Sequence, residues 1–258
     1  MSAGTRLRAV LGGLIAGATG GLFGVGGGIV MVPLLTGWFG ATQHQAHGTS
    51  LATVGATALA SLLVYGAHGN VRWSVAAVVG LASVFAARWG ARLASRVSGA
   101  QLTRAFALFL VLVALRLLWK APTPGTGLGL DHGAAGLATD LALGLLVGLL
   151  AGFMGVGGGV LAVPAFTLLL GMSQQAAQGT SLAVILVTAP AGALEHHRRG
   201  NLMLSLVPWL ALGAAIGGPL TSRIAQSLPN EWLTRGFALF LLATAAHSWL
   251  RAARTTPR

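Results

Sequence analysis

Two glycine runs hold the residues best placed to do chemistry in this chain. Gly24-Val25-Gly26-Gly27-Gly28 lies inside an apolar segment and returns as Gly155-Val156-Gly157-Gly158-Gly159, 131 positions later. Glycine lets a turn take positive φ and lets a ligand come close to backbone amides. A helix starting after Gly28, or after Gly159, points its first N–H groups and the positive end of its dipole into the break. Such ends bind anions. Bare backbone in the hydrocarbon layer is tolerated only where protein buries it or where it lines a cavity. Paired glycine-interrupted segments in two halves of a chain point to a transporter site near the midplane. The competing reading is close packing of two hairpin tips with no ligand. Gly24, Gly26, Gly27, Gly28, Gly155, Gly157, Gly158 and Gly159 are therefore candidate substrate-binding positions.

Hydroxyls follow each run at one spacing, in Gly48-Thr49-Ser50-Leu51 and Gly179-Thr180-Ser181-Leu182. Thr49, Ser50, Thr180 and Ser181 offer donors and a second pair of helix N-termini to the same cavity. Helix capping explains them equally well. Gln43, His44, Gln45 and His47 read as a polar connector before a helix that Thr49 or Ser50 would cap. His44 and His47 could titrate or bind an anion, but Gln175 and Gln178 replace them in the second copy, which argues against a bilateral metal site. His196-His197-Arg198-Arg199, beside Glu195, reads as a solvated turn, and Asn70 and Asn201 read as turn residues after glycine. Asp140 could couple to protons, but it stands at a segment start and Ala9 occupies the matching place. A dinucleotide-binding reading of the glycines needs an acidic residue about 20 positions on; the next one after Gly28 is Asp131. No embedded acidic pair, HExxH or catalytic triad is present, so enzymatic work, cofactor and metal are not expected.

The elements that must position these residues come in two tandem sets. Gly69-Asn70 returns as Gly200-Asn201, and Leu102-Thr103-Arg104 as Leu233-Thr234-Arg235, at the same offset of 131. Composition places both sets in a membrane. The chain is 55% hydrophobic and 8% charged with only four acidic residues, whereas a soluble domain carries roughly 25% charged residues. Charge-free runs at Leu51 to Ala67, Leu141 to Gln174 and Leu202 to Ser222 approach or exceed the ~20 residues that cross a bilayer. The net charge of +12 sits in arginines between apolar runs, as positive-inside loops do, and does not indicate nucleic acid. Cysteine is absent, which excludes disulfides and thiolate chemistry.

The expected fold is an all-α polytopic membrane protein, with residues 1–120 and 137–250 as the two repeats. A Pro/Gly-rich linker over 121–136 joins them, and a basic tail occupies 251–258. Each repeat opens with a broken segment, Leu7 to Phe39 or Leu141 to Leu170. The latter would be about 45 Å long if straight, against a hydrocarbon core of roughly 30 Å. A re-entrant hairpin followed by three spans is therefore expected. Gly13, Gly17 and Gly21, which recur at Gly144, Gly148 and Gly152, read as a helix packing seam and tie the start of the chain to the fold rather than to a signal peptide. Opposite arginine biases in matching loops favour inverted repeats. Arg88, Arg92, Arg96 and Arg104 stand against Arg223 and Arg235, but Arg72 stands against Arg198 and Arg199.

These motifs resemble one family. Ala16-Gly17 through Gly24-Val25-Gly26-Gly27-Gly28 to Pro33, then Gly48-Thr49-Ser50-Leu51, with the whole repeated, is similar to the sulfite exporter TauE/SafE family of membrane permeases. Gly90-Ala91-Arg92-Leu93 and Thr221-Ser222-Arg223-Ile224 fit the same pattern, although the second has lost its glycine. His47 stands where the resemblance would place a smaller or apolar residue. The resemblance implies a multi-pass protein of the bacterial inner membrane, with about eight helical segments. It also implies transport of a small sulfur-containing anion such as sulfite, thiosulfate or a short organosulfonate. The partners expected are that anion and the lipid bilayer, with a homo-oligomer left open. A non-transporting scaffold subunit and a passive anion channel are the alternatives.

Overall fold

The computed structural model describes residues 1–94, 99–119, 125, 133–154 and 158–254. Among these residues the chain forms ten helices and no strand: α1 Ala3–Phe23, α2 Gly28–Phe39, α3 Gln43–Ala67, α4 Trp73–Ala94, α5 Gly99–Trp119, α6 Gly133–Met154, α7 Gly159–Leu168, α8 Gln174–Arg198, α9 Val207–Ser227 and α10 Asn230–Arg254. The all-helical class expected from the sequence is present. Each broken segment supplies two helices, which raises the expected eight segments to ten.

The first break is made by backbone that only glycine adopts readily. Gly24, Gly26 and Gly27 have φ of 68°, 73° and 84°, in the left-handed region that costs other residues roughly 1–2 kcal/mol. The chain then turns back on itself. A Cβ on Gly27 would lie 2.0 Å from the Ala16 carbonyl oxygen, and one on Gly12 would lie 3.7 Å from the Trp38 ring. Thus α2 runs antiparallel along α1. With 12 residues it is about 18 Å long, short of the roughly 30 Å hydrocarbon core. In the second copy residues 155–157 lie outside the described ones, and the start of α7 stands against α6, where a Cβ on Gly158 would lie 3.2 Å from Val147 Cγ1.

Helix starts correct two expectations. The polar stretch Gln43 to His47 is not a connector, and Thr49 is not a cap. Thr42 caps α3 instead, through a capping box: its Oγ1 accepts from the Gln45 N–H while Gln45 Oε1 accepts from the Thr42 N–H. Ser173 caps α8 with its side chain alone, accepting from the Ala176 N–H, so Thr180 is likewise inside a helix. Boundaries also moved. α6 begins at Gly133, inside the expected linker, and α10 continues to Arg254, into the expected tail. α9 starts at Val207 rather than Leu202, with proline in its first turn, where the missing N–H is not needed.

Packing follows from small residues. Cβ atoms on Gly13, Gly17 and Gly21 would lie 2.0, 2.5 and 2.2 Å from the carbonyl oxygens of Leu210, Ala214 and Gly218. The expected seam is therefore real, and it joins α1 in parallel to α9. Gly144 and Gly148 of α6 bring it against Val79 and Ser83 of α4 in the same manner, and Ser83 Oγ donates to the Gly144 carbonyl at 2.9 Å. At the centre α3 and α8 lie antiparallel, with Gly48 against His196, Gly192 against Leu51 and Gly179 against Tyr65.

The outside is apolar. Leu63, Phe85, Leu108, Leu112, Leu115 and Leu239 are exposed, and Trp73, Trp119 and Trp232 stand exposed at helix ends, where an interfacial aromatic belt would place them. A water-facing surface would not carry so continuous an apolar face. Among the described residues α3 and α8 are long and apolar enough to cross a bilayer. This is a helical membrane protein.

Candidate functional site

The hairpin tips meet at the middle of the α3–α8 pair. A Cβ on Gly159 would lie 2.9 Å from Val25 Cα, and one on Gly26 would lie 2.5 Å from Val54 Cγ1 and 3.3 Å from Ile185 Cδ1. Where the tips meet they leave a small cavity lined by Val25, Gly28, Val32, His47, Ser50, Leu51, Val54, Gly158, Gly159, Ile185, Thr188 and Ala189. About 20 Å³ of it is open to the centre of a water-sized sphere, room for roughly one or two waters. His47, Ser50, Leu51 and Val54 share one face of α3 by the i, i+3, i+4, i+7 rule, and Ile185, Thr188 and Ala189 share one face of α8.

The candidate glycines divide by role in this geometry. Gly28, Gly158 and Gly159 bring their backbone to the cavity wall. Gly24 packs against Gln178, and Gly27 against Ala16, each so closely that no Cβ fits. Gly26 sits behind Val54 and Ile185. Gly155 and Gly157 lie outside the described residues.

The four hydroxyls do not converge. Neighbouring residues on a helix point about 100° apart, so Thr and Ser of each Gly-Thr-Ser motif face different things. Thr49 Oγ1 accepts the Met203 N–H and Thr180 Oγ1 accepts the Arg72 N–H, both at 3.0 Å. Both threonines are fully buried and away from the cavity. They pin the loop that follows the opposite long helix. Gly48 and Gly179 explain why that loop fits, since a Cβ on them would lie 2.2 and 2.1 Å from the Asn201 and Asn70 carbonyl oxygens. Gly-Asn and Gly-Thr-Ser are thus the two sides of one lock, made twice between the halves. Ser50 does line the cavity. Ser181 braces the first break instead, donating to the Gly24 carbonyl at 2.8 Å, with the Gly159 carbonyl at 3.4 Å.

Two polar residues at the cavity were not among the sequence candidates for the site. His47 lines it beside Ser50, although the sequence weighed it only as a titratable or anion-binding residue of a connector. Thr188 was missed outright. Helical period was the available signal, because Thr188 falls seven residues after Ser181 on the same face of α8. His44 is exposed at the start of α3, outside the cavity.

The surroundings of the two short arms differ. α7 is buried almost throughout, from Gly159 to Pro164 and at Phe166 and Thr167, and joins a core containing Leu110, Val113, Phe237 and Leu241 from α5 and α10. α2 buries only Gly28, Met31 and Leu35, in a smaller cluster with Ala9, Ala16 and Leu210.

Comparison with known proteins finds relatives along most of the chain. The family model for the sulfite exporter TauE/SafE matches residues 141–258. A protein of Xylella fastidiosa named "probable membrane transporter protein" is 31% identical over 247 residues, covering 92% of this chain and 91% of the relative. The "probable membrane transporter protein YunE" of Bacillus subtilis is 30% identical over 255 residues, covering 89% and 92%. A further such protein from Haemophilus influenzae is 26% identical over 277 residues, covering 95% and 98%. With likeness over nearly the whole length, and glycine-broken hairpins in a lipid-facing helical body, the chain belongs to the sulfite exporter TauE/SafE family of membrane permeases.

Proposed function

We propose that the protein is a secondary transporter of the bacterial inner membrane for a small oxyanion such as sulfite, thiosulfate or a short organosulfonate, acting as an exporter. The observation that carries this reading is the meeting of two glycine-broken segments around one small cavity, with backbone of Gly28, Gly158 and Gly159 and Ser50 in its wall. The starts of α2 and α7 lie at that wall, so amide groups and dipole ends stand where a desolvated anion needs them. Among the described residues no arginine lines the cavity, so these groups and the hydroxyls of Ser50 and Thr188 supply its donors. The family name supports the class of cargo, and the names of the relatives support transport across a membrane.

The halves act as inverted repeats. α3 and α8, which begin 131 positions apart, lie antiparallel, and the α1–α9 pairing has its counterpart in α6 with α4. Because the cavity holds only a water or two, a sulfite-sized anion requires it to open. α2 is the arm that moves, since its outer residues Ile29, Val30, Val32, Pro33 and Leu34 are only partly covered while α7 is gripped on all sides. Few buried contacts mark a segment that opens at low free energy.

Purified protein in liposomes should take up labelled thiosulfate or sulfite with saturable kinetics and with exchange against unlabelled anion. Flux that rises linearly with concentration, with no exchange, would identify a channel. Absence of any flux would leave a packing or scaffold role for the glycines.

A further inference from the structure

The cavity is one-sided. His47, Ser50 and Leu51 of α3 line it, while the matching residues of the second half, Gln178, Ser181 and Leu182, are fully buried. Tyr65 seals that second side, its Oη lying 2.8 Å from Gln178 Oε1 and 3.0 Å from the Gly21 carbonyl oxygen. His196 stands 131 positions after Tyr65 and packs against Gly48, whose Cβ would lie 2.8 Å from that of His196. One face therefore closes with a phenol and an amide, neither of which titrates near neutral pH. The other carries imidazoles at both matching places, and His47 is only half-buried.

We propose that His47 is the proton-carrying, anion-recognising residue of this cavity, so that the oxyanion binds together with one proton. This rests on the reading of the cavity as the substrate site. Among the described residues of its wall His47 is the only ionisable one, and the rest are apolar apart from two hydroxyls and glycine backbone. An anion in such a wall is costly without a compensating charge. Imidazole, with an ordinary pKa of about 6.5, can supply one by taking a proton from water on the accessible side, going from neutral to +1. Ser50 and Thr188 then complete the set of donors. Losing that proton removes the positive charge and favours release of the anion.

The other ionisable groups at this end are His44, one turn earlier on α3, Glu195, His196, His197, Arg198 and Arg199 at the end of α8, and Arg6 of α1, whose guanidinium lies 5.2 Å from the centre of the Trp209 ring. Glu195 is paired with Arg199 at 2.7 Å, which leaves the imidazoles as the groups that change charge. α2, α7 and residues 201–206 contribute no ionisable side chain.

The test is the affinity of purified protein for thiosulfate, whose own charge is constant over the range, between about pH 5.5 and 8, for wild type, His47→Gln and His47→Ala. Glutamine already stands at the matching position 178, so the first variant keeps the size and polarity the fold accepts there. Wild-type affinity should fall roughly tenfold per pH unit above the imidazole pKa, and both variants should bind more weakly with a flat profile. The same pH profile in wild type and variants, or pH-independent binding by wild type, would overturn the role of His47 and leave the cavity as the site. No binding by any of the three, for thiosulfate or for methanesulfonate, would overturn the cavity reading and this inference together.

Discussion

Gly26→Val is expected to abolish anion flux in liposomes while leaving folded, monodisperse protein. Gly26 has φ 73°, so a β-branched residue there is strained, at a cost of about 1–2 kcal/mol. A Cβ would lie 2.5 Å from Val54 Cγ1 and next to Ile185 Cδ1. Both residues line the cavity, so the added isopropyl group pushes their side chains into the space an anion would use. Gly27→Val would be far worse for folding, because its Cβ would lie 2.0 Å from backbone, the Ala16 carbonyl oxygen. Gly40→Ala is the control: it has φ 62° and no atom within 4 Å of its Cβ, so it adds backbone strain without touching the cavity and should keep flux near wild type. Wild-type flux in Gly26→Val would remove the first break from the mechanism.

The second large effect is on stability. Gly17→Leu should lower the melting midpoint sharply and yield little monodisperse protein on size-exclusion chromatography. Its Cβ would lie 2.5 Å from the Ala214 carbonyl oxygen and 2.6 Å from Ala214 Cα. These are backbone atoms of α9, and no side-chain rotation relieves the clash. Overpacking in a well-packed core usually costs about 1–3 kcal/mol, and a contact that forces two helix backbones apart belongs at or above the top of that range. Gly12→Ala, on the same helix but with the nearest atoms to its Cβ 3.7 Å away on Trp38 and 3.8 Å away on Leu210, should be close to neutral. Equal stability of Gly17→Leu and wild type would mean that α1 and α9 do not pack along this seam.

Much of the fold was readable from residue pattern because lipid-embedded helices leave few choices. Glycines at every fourth position can only serve close backbone approach, and Gly13, Gly17 and Gly21 do so. Glycine runs in an apolar segment imply a break, and the breaks meet. Reading the Gln43 to His47 stretch as a connector ignored the capping-box pattern Thr42-x-x-Gln45, a signal that was present. Placing Thr49 beside Ser50 in one site ignored the rotation between adjacent helical residues. What no local pattern could supply was the partner of Thr49 and Thr180. Met203 and Arg72 reach them from more than 100 residues away, and only the antiparallel α3–α8 pairing brings them together. The one-sidedness of the cavity was equally hidden, because it goes with α7 being buried almost throughout while α2 is only partly covered.

The most direct test of the central claim, that the paired breaks hold a small oxyanion, is the thermal stability of detergent-purified protein against sulfite, thiosulfate, sulfoacetate, taurine, sulfate and chloride. A ligand at about 100 times its dissociation constant adds about 2.7 kcal/mol to the folded state. A clear rise in melting midpoint with at least one sulfur oxyanion in wild type, absent in Gly26→Val, is the predicted result. No shift with any of the six, or an equal shift in the variant, would contradict it.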